Sequence, residues 1–241
     1  MTGQRRFRAE RCVDCGLHRQ LCACAERPQI DLRTQLLIVQ NNKERHKPTN
    51  TGRLLPQILV NCELIHVGER GVEFDPAPLC RVDHDYLLIF PRIRDPEGEN
   101  PEPAPVLDVD TFSRRRAERP EATQTVVLLD GTWAQCSRMS RRFDVLAQMQ
   151  AFALPEGPPS HWGVRTPSEP SRISTFEAAV RVVELAEGRE PAGRMQAYFD
   201  RIAAATLFMK GKLRSPEVPR EWVEEREQRF GARGSSAVEQ S

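Results

Sequence analysis

The sequence predicts an α/β fold built on a mostly parallel sheet flanked by helices. Three observations carry that prediction. Short apolar runs recur at 36–39, 64–67, 86–90, 126–129 and 151–154. These runs show little polar alternation, as strands buried on both faces do. Longer amphipathic segments lie between and after them, and strands that alternate with helices favour a parallel sheet covered on both sides.

Residues 1–27 are basic and rich in cysteine, and the first strand follows at 36–39. The polar stretch 41–50 contains Pro48 and reads as a loop. Residues 51–60 carry Leu54, Leu55, Ile58 and Leu59 at helical spacing, with Pro56 tolerable in a first turn. Strands at 64–67 and 86–90 come next, and Pro91 ends the second of these. His66 reads as a packed strand residue. Residues 95–108 hold four prolines and several acids, the mark of a surface insertion. The central strand runs through Val126-Val127-Leu128-Leu129 to Asp130. Trp133, Cys136, Met139, Phe143, Leu146 and Met149 then form one helical stripe over 133–149. A last strand at 151–154 leads into a long loop, 155–170. Ser174 and Glu177 make a capping box that opens a helix, and Gly188 closes it. Pro191 suits the first turn of a final helix reaching about residue 212. The tail from Ser215 holds a short helix around Trp222 and then a disordered end.

A chain of 241 residues with 39% hydrophobic content can bury one sizeable core plus a small appendage. The expected division is a cysteine knuckle at 1–27, a catalytic domain at 28–214 and a tail at 215–241. The net charge of +1 hides local asymmetry. Arginines crowd residues 1–20, and further basic clusters stand at Arg114-Arg115-Arg116, at Arg138, Arg141 and Arg142, and at Lys210, Lys212 and Arg214. Basic clusters on a near-neutral protein suit a local nucleic-acid contact; solvated surface is the plainer reading of each one singly. No amino-terminal apolar region and no apolar run near 18 residues is present, so neither export nor membrane insertion is expected. Seven cysteines in an otherwise ordinary composition fit a reducing cytoplasm better than a disulfide scaffold. No extra apolar helix face is evident, so a monomer is expected.

Cys12-x-x-Cys15 and Cys22-x-Cys24 set four thiols within 13 residues. Two close pairs can converge on Zn²⁺, which takes four thiolates in closed structural sites. No apolar pattern surrounds them, so a metal would supply the missing folding energy. Cys12, Cys15, Cys22 and Cys24 are the expected ligands, and loose reduced thiols are the alternative. Gly16 helps the chain turn after the first pair, and His18 reads as an exposed loop residue. Cys62, Cys80 and Cys136 read as packing residues.

Asp130 stands where the central strand gives way to a helix, the edge at which open α/β sheets bind ligands. Gly131 permits a sharp turn or a close ligand approach. A plain helix cap is the other reading of Asp130. This turn, Asp130-Gly131-Thr132-Trp133, has two companions. One is Lys47-Pro48-Thr49-Asn50-Thr51-Gly52-Arg53-Leu54, preceded by Glu44, and the other is Ser171-Arg172-Ile173-Ser174-Thr175-Phe176-Glu177-Ala178. In this order, behind a cysteine cluster, the three resemble the signature of the DTW-domain family, the tRNA-uridine aminocarboxypropyltransferases. The resemblance covers roughly residues 12 to 213. Asn42 departs from it, standing where many relatives carry a histidine.

The resemblance implies a SPOUT-like sheet with a C-terminal trefoil knot, which sequence pattern alone does not reveal. It implies transfer of the 3-amino-3-carboxypropyl group of S-adenosyl-L-methionine to N3 of a tRNA uridine, with methylthioadenosine as the other product. Asp130 matches the motif acid and is the candidate base; orienting the uracil or holding the amino group of the transferred chain are its other possible roles. Phe90, Pro91, Gly131, Thr132, Trp133, Leu154, Arg172, Ser174 and Thr175 are the expected cofactor contacts. Trp133 reads equally as a packing residue, and Ser174 has its capping duty. Glu44, Lys47, Asn50, Thr51 and Arg53 are expected near the substrate nucleotide, with a helix cap at Thr49 or Asn50 and a solvated Arg53 as the plainer reading. A SPOUT-type RNA methyltransferase, a transferase acting on ribosomal RNA, and a non-enzymatic zinc-containing RNA-binding protein are the competing functions.

Overall fold

The computed structural model describes residues 10–91, 103–164 and 172–213, with residues 219, 220 and 224. Most of the proline-rich insertion, Arg214 and the segment around Trp222 lie outside the described residues. Strands β1 (Gln35–Asn41), β2 (Cys62–Val67), β3 (His84–Ile89), β4 (Thr123–Asp130) and β5 (Ala151–Phe152) form one sheet in the order β2-β1-β4-β3-β5. Every neighbouring pair is parallel, so all carboxyl ends share one edge.

The continuous apolar runs have their explanation in two separate cores. Leu36, Ile38, Leu87, Val126 and Leu128 face a core shared with helices α5 (Thr175–Glu187) and α6 (Arg189–Met209). Leu37, Val39, Leu88, Val127 and Leu129 face the opposite core, with helices α3 (Trp133–Arg142) and α4 (Asp144–Gln148). Successive strand residues point to opposite sides, so both sets must be apolar. Burial of each such side chain contributes about 1.5–3 kcal/mol.

The helices depart from expectation in three places. Residues 51–60 form only a 3-10 turn, Gly52–Leu54, and a short helix α1 (Leu55–Ile58). The backbone turns extended at Leu59, where it bridges Ile30 through hydrogen bonds of 2.8 and 3.0 Å. The stripe over 133–149 is split at Phe143, whose extended backbone starts α4 and whose ring meets Phe74 at 4.3 Å. Helix α2 (Val109–Glu118) is not evident from pattern, because Phe112 is the one large apolar side chain it buries. Asp108 caps it by accepting from the Thr111 N–H at 2.7 Å.

Helix α2 also reassigns a basic cluster. Arg115 grips Asp85 through Nε and Nη2 at 2.8 and 2.6 Å, and Arg116 pairs with Glu187 at 3.0 Å. Arg115 therefore ties the helix to β3 and Arg116 ties it to the end of α5, rather than facing a nucleic acid. Their sequence signature could not separate these roles. Smaller corrections concern His66 and Cys80, both exposed rather than packed.

The last two helices follow the sequence closely. Ser174 and Glu177 complete the capping box, and Gly188 joins α5 to α6 at φ 95°. The knuckle does not stand apart: Leu17, Leu21 and Ala23 are buried in the core of α5 and α6. No helix of the described residues is long and apolar enough to cross a membrane.

Candidate active site at the carboxyl edge of the sheet

Asp130 ends β4 and is only 3% exposed. Its neighbour in register on β1 is Gln40, whose Nε2 donates to Asp130 Oδ2 at 2.7 Å. Asn50 Nδ2 donates to the same oxygen at 2.5 Å. Thr175, the first residue of α5, donates its hydroxyl to Oδ1 at 2.5 Å. No lysine or arginine forms an ion pair with this carboxylate among the described residues. A carboxylate offers about four acceptor positions, and these three bonds leave a second position on Oδ1.

The carboxylate is closed over by Gly52. A Cβ built there would lie 2.8 Å from Asp130 Cγ and Oδ2, so a side chain cannot be added without displacement. Asn50 is doubly used: its Oδ1 accepts from Gln40 Nε2 at 3.0 Å and from the Arg53 N–H at 3.1 Å. Thr51 Oγ1 accepts from the Phe176 N–H at 3.4 Å. The three sequence motifs thus meet at one point, and Asp130 is not the helix cap. That duty belongs to Thr132, whose hydroxyl accepts from the Gln135 N–H at 3.3 Å. The Gln135 side chain accepts from the Thr132 N–H in return at 2.6 Å. The Thr132 N–H is therefore engaged in capping, and its hydroxyl accepts from the helix.

Two adjoining clefts open at this edge. The larger, about 820 Å³, runs over the ends of β3, β4 and β5. Phe90, Pro91, Gly131, Trp133, Leu154, Arg172, Ser174 and Thr175 line it. The smaller, about 370 Å³, contains Asp130, Glu44, Asn50 and Thr51. Gly131, Trp133 and the segment 172–175 border both. Trp133 is 39% exposed, so it is not core packing. Its ring lies 6.2 Å from that of Phe90, and the Arg172 guanidinium carbon sits 4.9 Å above it. Of the expected cofactor contacts, Thr132 alone borders only the smaller cleft.

Glu44 is 1% exposed and pairs with Lys47 Nζ at 2.5 Å. Arg53 turns away from the smaller cleft: it donates from Nη1 to the Asp14 carbonyl and from Nη2 to the Cys15 carbonyl at 2.8 Å. It clamps the knuckle to the motif loop, which the solvated reading does not describe.

Sequence reasoning gives Glu177 only a capping role. Its carboxylate also accepts from Ser160 Oγ at 2.7 Å and from the His161 N–H at 2.6 Å, which fixes Trp162 against α5. A glutamate three residues after a capping serine is the only signal the sequence offers for it.

The knuckle brings its four thiols together, all sulfurs lying within 4.8 Å of one another. Cys12 Sγ to Cys24 Sγ and Cys15 Sγ to Cys22 Sγ are both 3.7 Å. Zn–S bonds of about 2.3 Å in a tetrahedron separate sulfurs by about 3.8 Å, whereas a disulfide needs about 2.05 Å. The donor set fits zinc. Burial raises the Cys12 thiol pKa, but the backbone of Cys15 and Asp14 and the neighbouring thiols outweigh it and bring it to about 7. Burial pushes Cys15 and Cys24 up. Gly16, at φ 75°, makes the turn between the thiols, and a Cβ there would strike Arg53.

Compared with known protein families, residues 9–207 match the family model described as the DTW domain.

Three outcomes follow from this geometry. Gly52→Ala destabilises the protein by about 1–3 kcal/mol in urea unfolding, through the forced shift of the Asp130 carboxylate. Protein prepared with reductant carries zinc by elemental analysis, and Cys22→Ser loses it. Zinc affinity falls with pH already above neutrality, because Cys15 and Cys24 must shed protons to ligate, and more steeply below about 7, where Cys12 must do so too.

Proposed function

The chain belongs to the DTW-domain family, and from that premise we propose that it is a tRNA-modifying aminocarboxypropyltransferase. Its reaction moves the 3-amino-3-carboxypropyl group of S-adenosylmethionine to N3 of a tRNA uridine. The observation that carries the reading is a ligand-sized cleft beside a smaller one that holds a buried acid, the two sharing one wall. The larger lies within the usual size range of small-molecule sites. In the same reading the sheet is SPOUT-like and its carboxyl-terminal part knotted, with the strand order β2-β1-β4-β3-β5 in support.

S-Adenosylmethionine supplies an activated propyl carbon and leaves as methylthioadenosine. Its site is the larger cleft, bordered by Phe90, Pro91, Gly131, Trp133, Leu154, Arg172, Ser174 and Thr175. Arg172 offers a charge for the carboxylate of the amino-acid moiety. The same sulfonium activates three carbons, so selectivity rests on which of them faces the smaller cleft. Alignment of that kind supplies on the order of 7–11 kcal/mol of barrier reduction.

The uracil enters the smaller cleft, near Asn50, Thr51 and Glu44. Asp130 accepts the N3 proton on the free position of Oδ1 as N3 bonds to the propyl carbon and the carbon–sulfur bond breaks. The bonds from Gln40, Asn50 and Thr175 keep the carboxylate in one orientation throughout. Lys47 stays with Glu44, close to the incoming nucleotide. The zinc knuckle has a structural role, since four cysteines leave no open position on the metal.

Incubating the protein with S-adenosylmethionine and unmodified tRNA yields methylthioadenosine and a tRNA uridine heavier by one aminocarboxypropyl group. Asp130→Asn lowers the single-turnover rate at saturating cofactor by about 10²–10⁴-fold. Release of S-adenosylhomocysteine instead would make the protein a methyltransferase. Binding of tRNA without cofactor binding would leave only a zinc-containing RNA-binding protein.

A further inference from the structure

A third cleft, of about 310 Å³, lies between the knuckle, the motif loop and the end of α6. Arg11, Arg53 and Lys210 line it, and no acidic side chain does. Arg11 and Lys210 are exposed and form no ion pair among the described residues. Arg11 Nη1 donates to the Gly16 carbonyl at 3.0 Å, which fixes its direction and leaves its charge uncompensated. The two carbonyls that hold Arg53 satisfy its donors, and Asp14 and the cysteine cluster offset part of its charge.

This cleft adjoins the one that contains Asp130. Thr49, Asn50 and Trp162 border both. Trp162 is 6% exposed, and its Nε1 is buried without a hydrogen-bond partner. Cations brought together in a cleft without acidic side chains make a site for an anion.

We propose that this cleft holds the RNA phosphodiester adjacent to the nucleotide whose base enters the Asp130 cleft. Arg11 and Lys210 contact the phosphate oxygens, and Arg53 adds charge from below while fixing the knuckle. Phosphate contacts of this kind set position and register and carry no sequence choice. The knuckle then has a task besides packing: its metal-organised turn sets Arg11 opposite Lys210. The inference rests on the function proposed above and names the part of the partner that this face receives.

The test measures binding of unmodified tRNA to the full chain over a salt series. Removing one cation from a phosphate reduces the slope of log affinity against log salt by about one. The double variant Arg11→Ala/Lys210→Ala is expected to bind at least about tenfold more weakly at low salt, with a slope shallower by about two. Its affinity for S-adenosylmethionine and its zinc content stay unchanged. Arg11→Lys/Lys210→Arg restores the slope, because a phosphate responds to charge. Arg33→Ala/Arg189→Ala removes the same charge near the opposite edge of the sheet and leaves the slope as it was. Normal slope and affinity in Arg11→Ala/Lys210→Ala, with tRNA still bound by the unaltered protein, would overturn the cleft assignment alone. Failure of the unaltered protein to bind tRNA at all would overturn both this assignment and the proposed function.

Discussion

One buried carboxylate holds the candidate site together. Asp130 sits at the end of the most enclosed strand, with no counter-ion among the described residues. Taking a charged carboxylate out of water costs several kcal/mol. Hydrogen bonds to a charged group return about 1.5–3 kcal/mol each, so the three donors decide whether the arrangement survives. They come from Gln40, Asn50 and Thr175, which lie 90, 80 and 45 residues away in the chain. Satisfying one carboxylate therefore fixes a strand, a loop and a helix terminus relative to one another. Of these donors, Thr175 borders both clefts and Asn50 the smaller one.

The same logic explains where small or capping residues stand. Gly52 is required because the loop passes against the carboxylate with no room for a Cβ. Thr132 takes over the helix cap and so releases Asp130 from a duty that would aim it along α3. Glu177 repeats the pattern in the first turn of α5. It caps that helix and ties down residues 160–162, so that Trp162 stacks on Phe199 at 5.5 Å. Arg53 carries the order outward to the knuckle, whose apolar residues join the main core. Core, acid hub and cysteine turn are consequently linked, and a change at the thiols reaches the motif loop through one guanidinium.

The parts of this design that rest on local patterning are legible in the sequence. Buried parallel strands read as unbroken apolar runs, and all five are visible, although β5 is reduced to Ala151–Phe152. The Ser174–Glu177 cap and the Gly188 break are short-range signals with a direct physical cause. The cysteine spacing announces a cluster, and the motif acid announces the edge of the sheet. What sequence does not supply is the partner of each polar group. Arg115 and Arg116 resemble a nucleic-acid patch until Asp85 and Glu187 come to meet them. Arg53 reads as a loop residue near the nucleotide, and its bonds to the knuckle carbonyls have no counterpart in the pattern. Helix α2 is hidden because one buried Phe112 gives no periodicity, and Phe143 breaks a regular stripe to reach Phe74. Long-range pairing decides each case, and a linear pattern does not encode it.

The central claim is geometric: the Asp130 carboxylate faces the point at which a bound sulfonium presents its propyl carbon. A crystal structure with S-adenosylmethionine tests that claim most directly. The account predicts the adenosyl part in the larger cleft, its amino-acid arm crossing the shared wall at Gly131 and Trp133 toward Asp130. The methyl group would point elsewhere. A ligand bound away from this edge, or one that turns its methyl group to the Asp130 cleft, would contradict it.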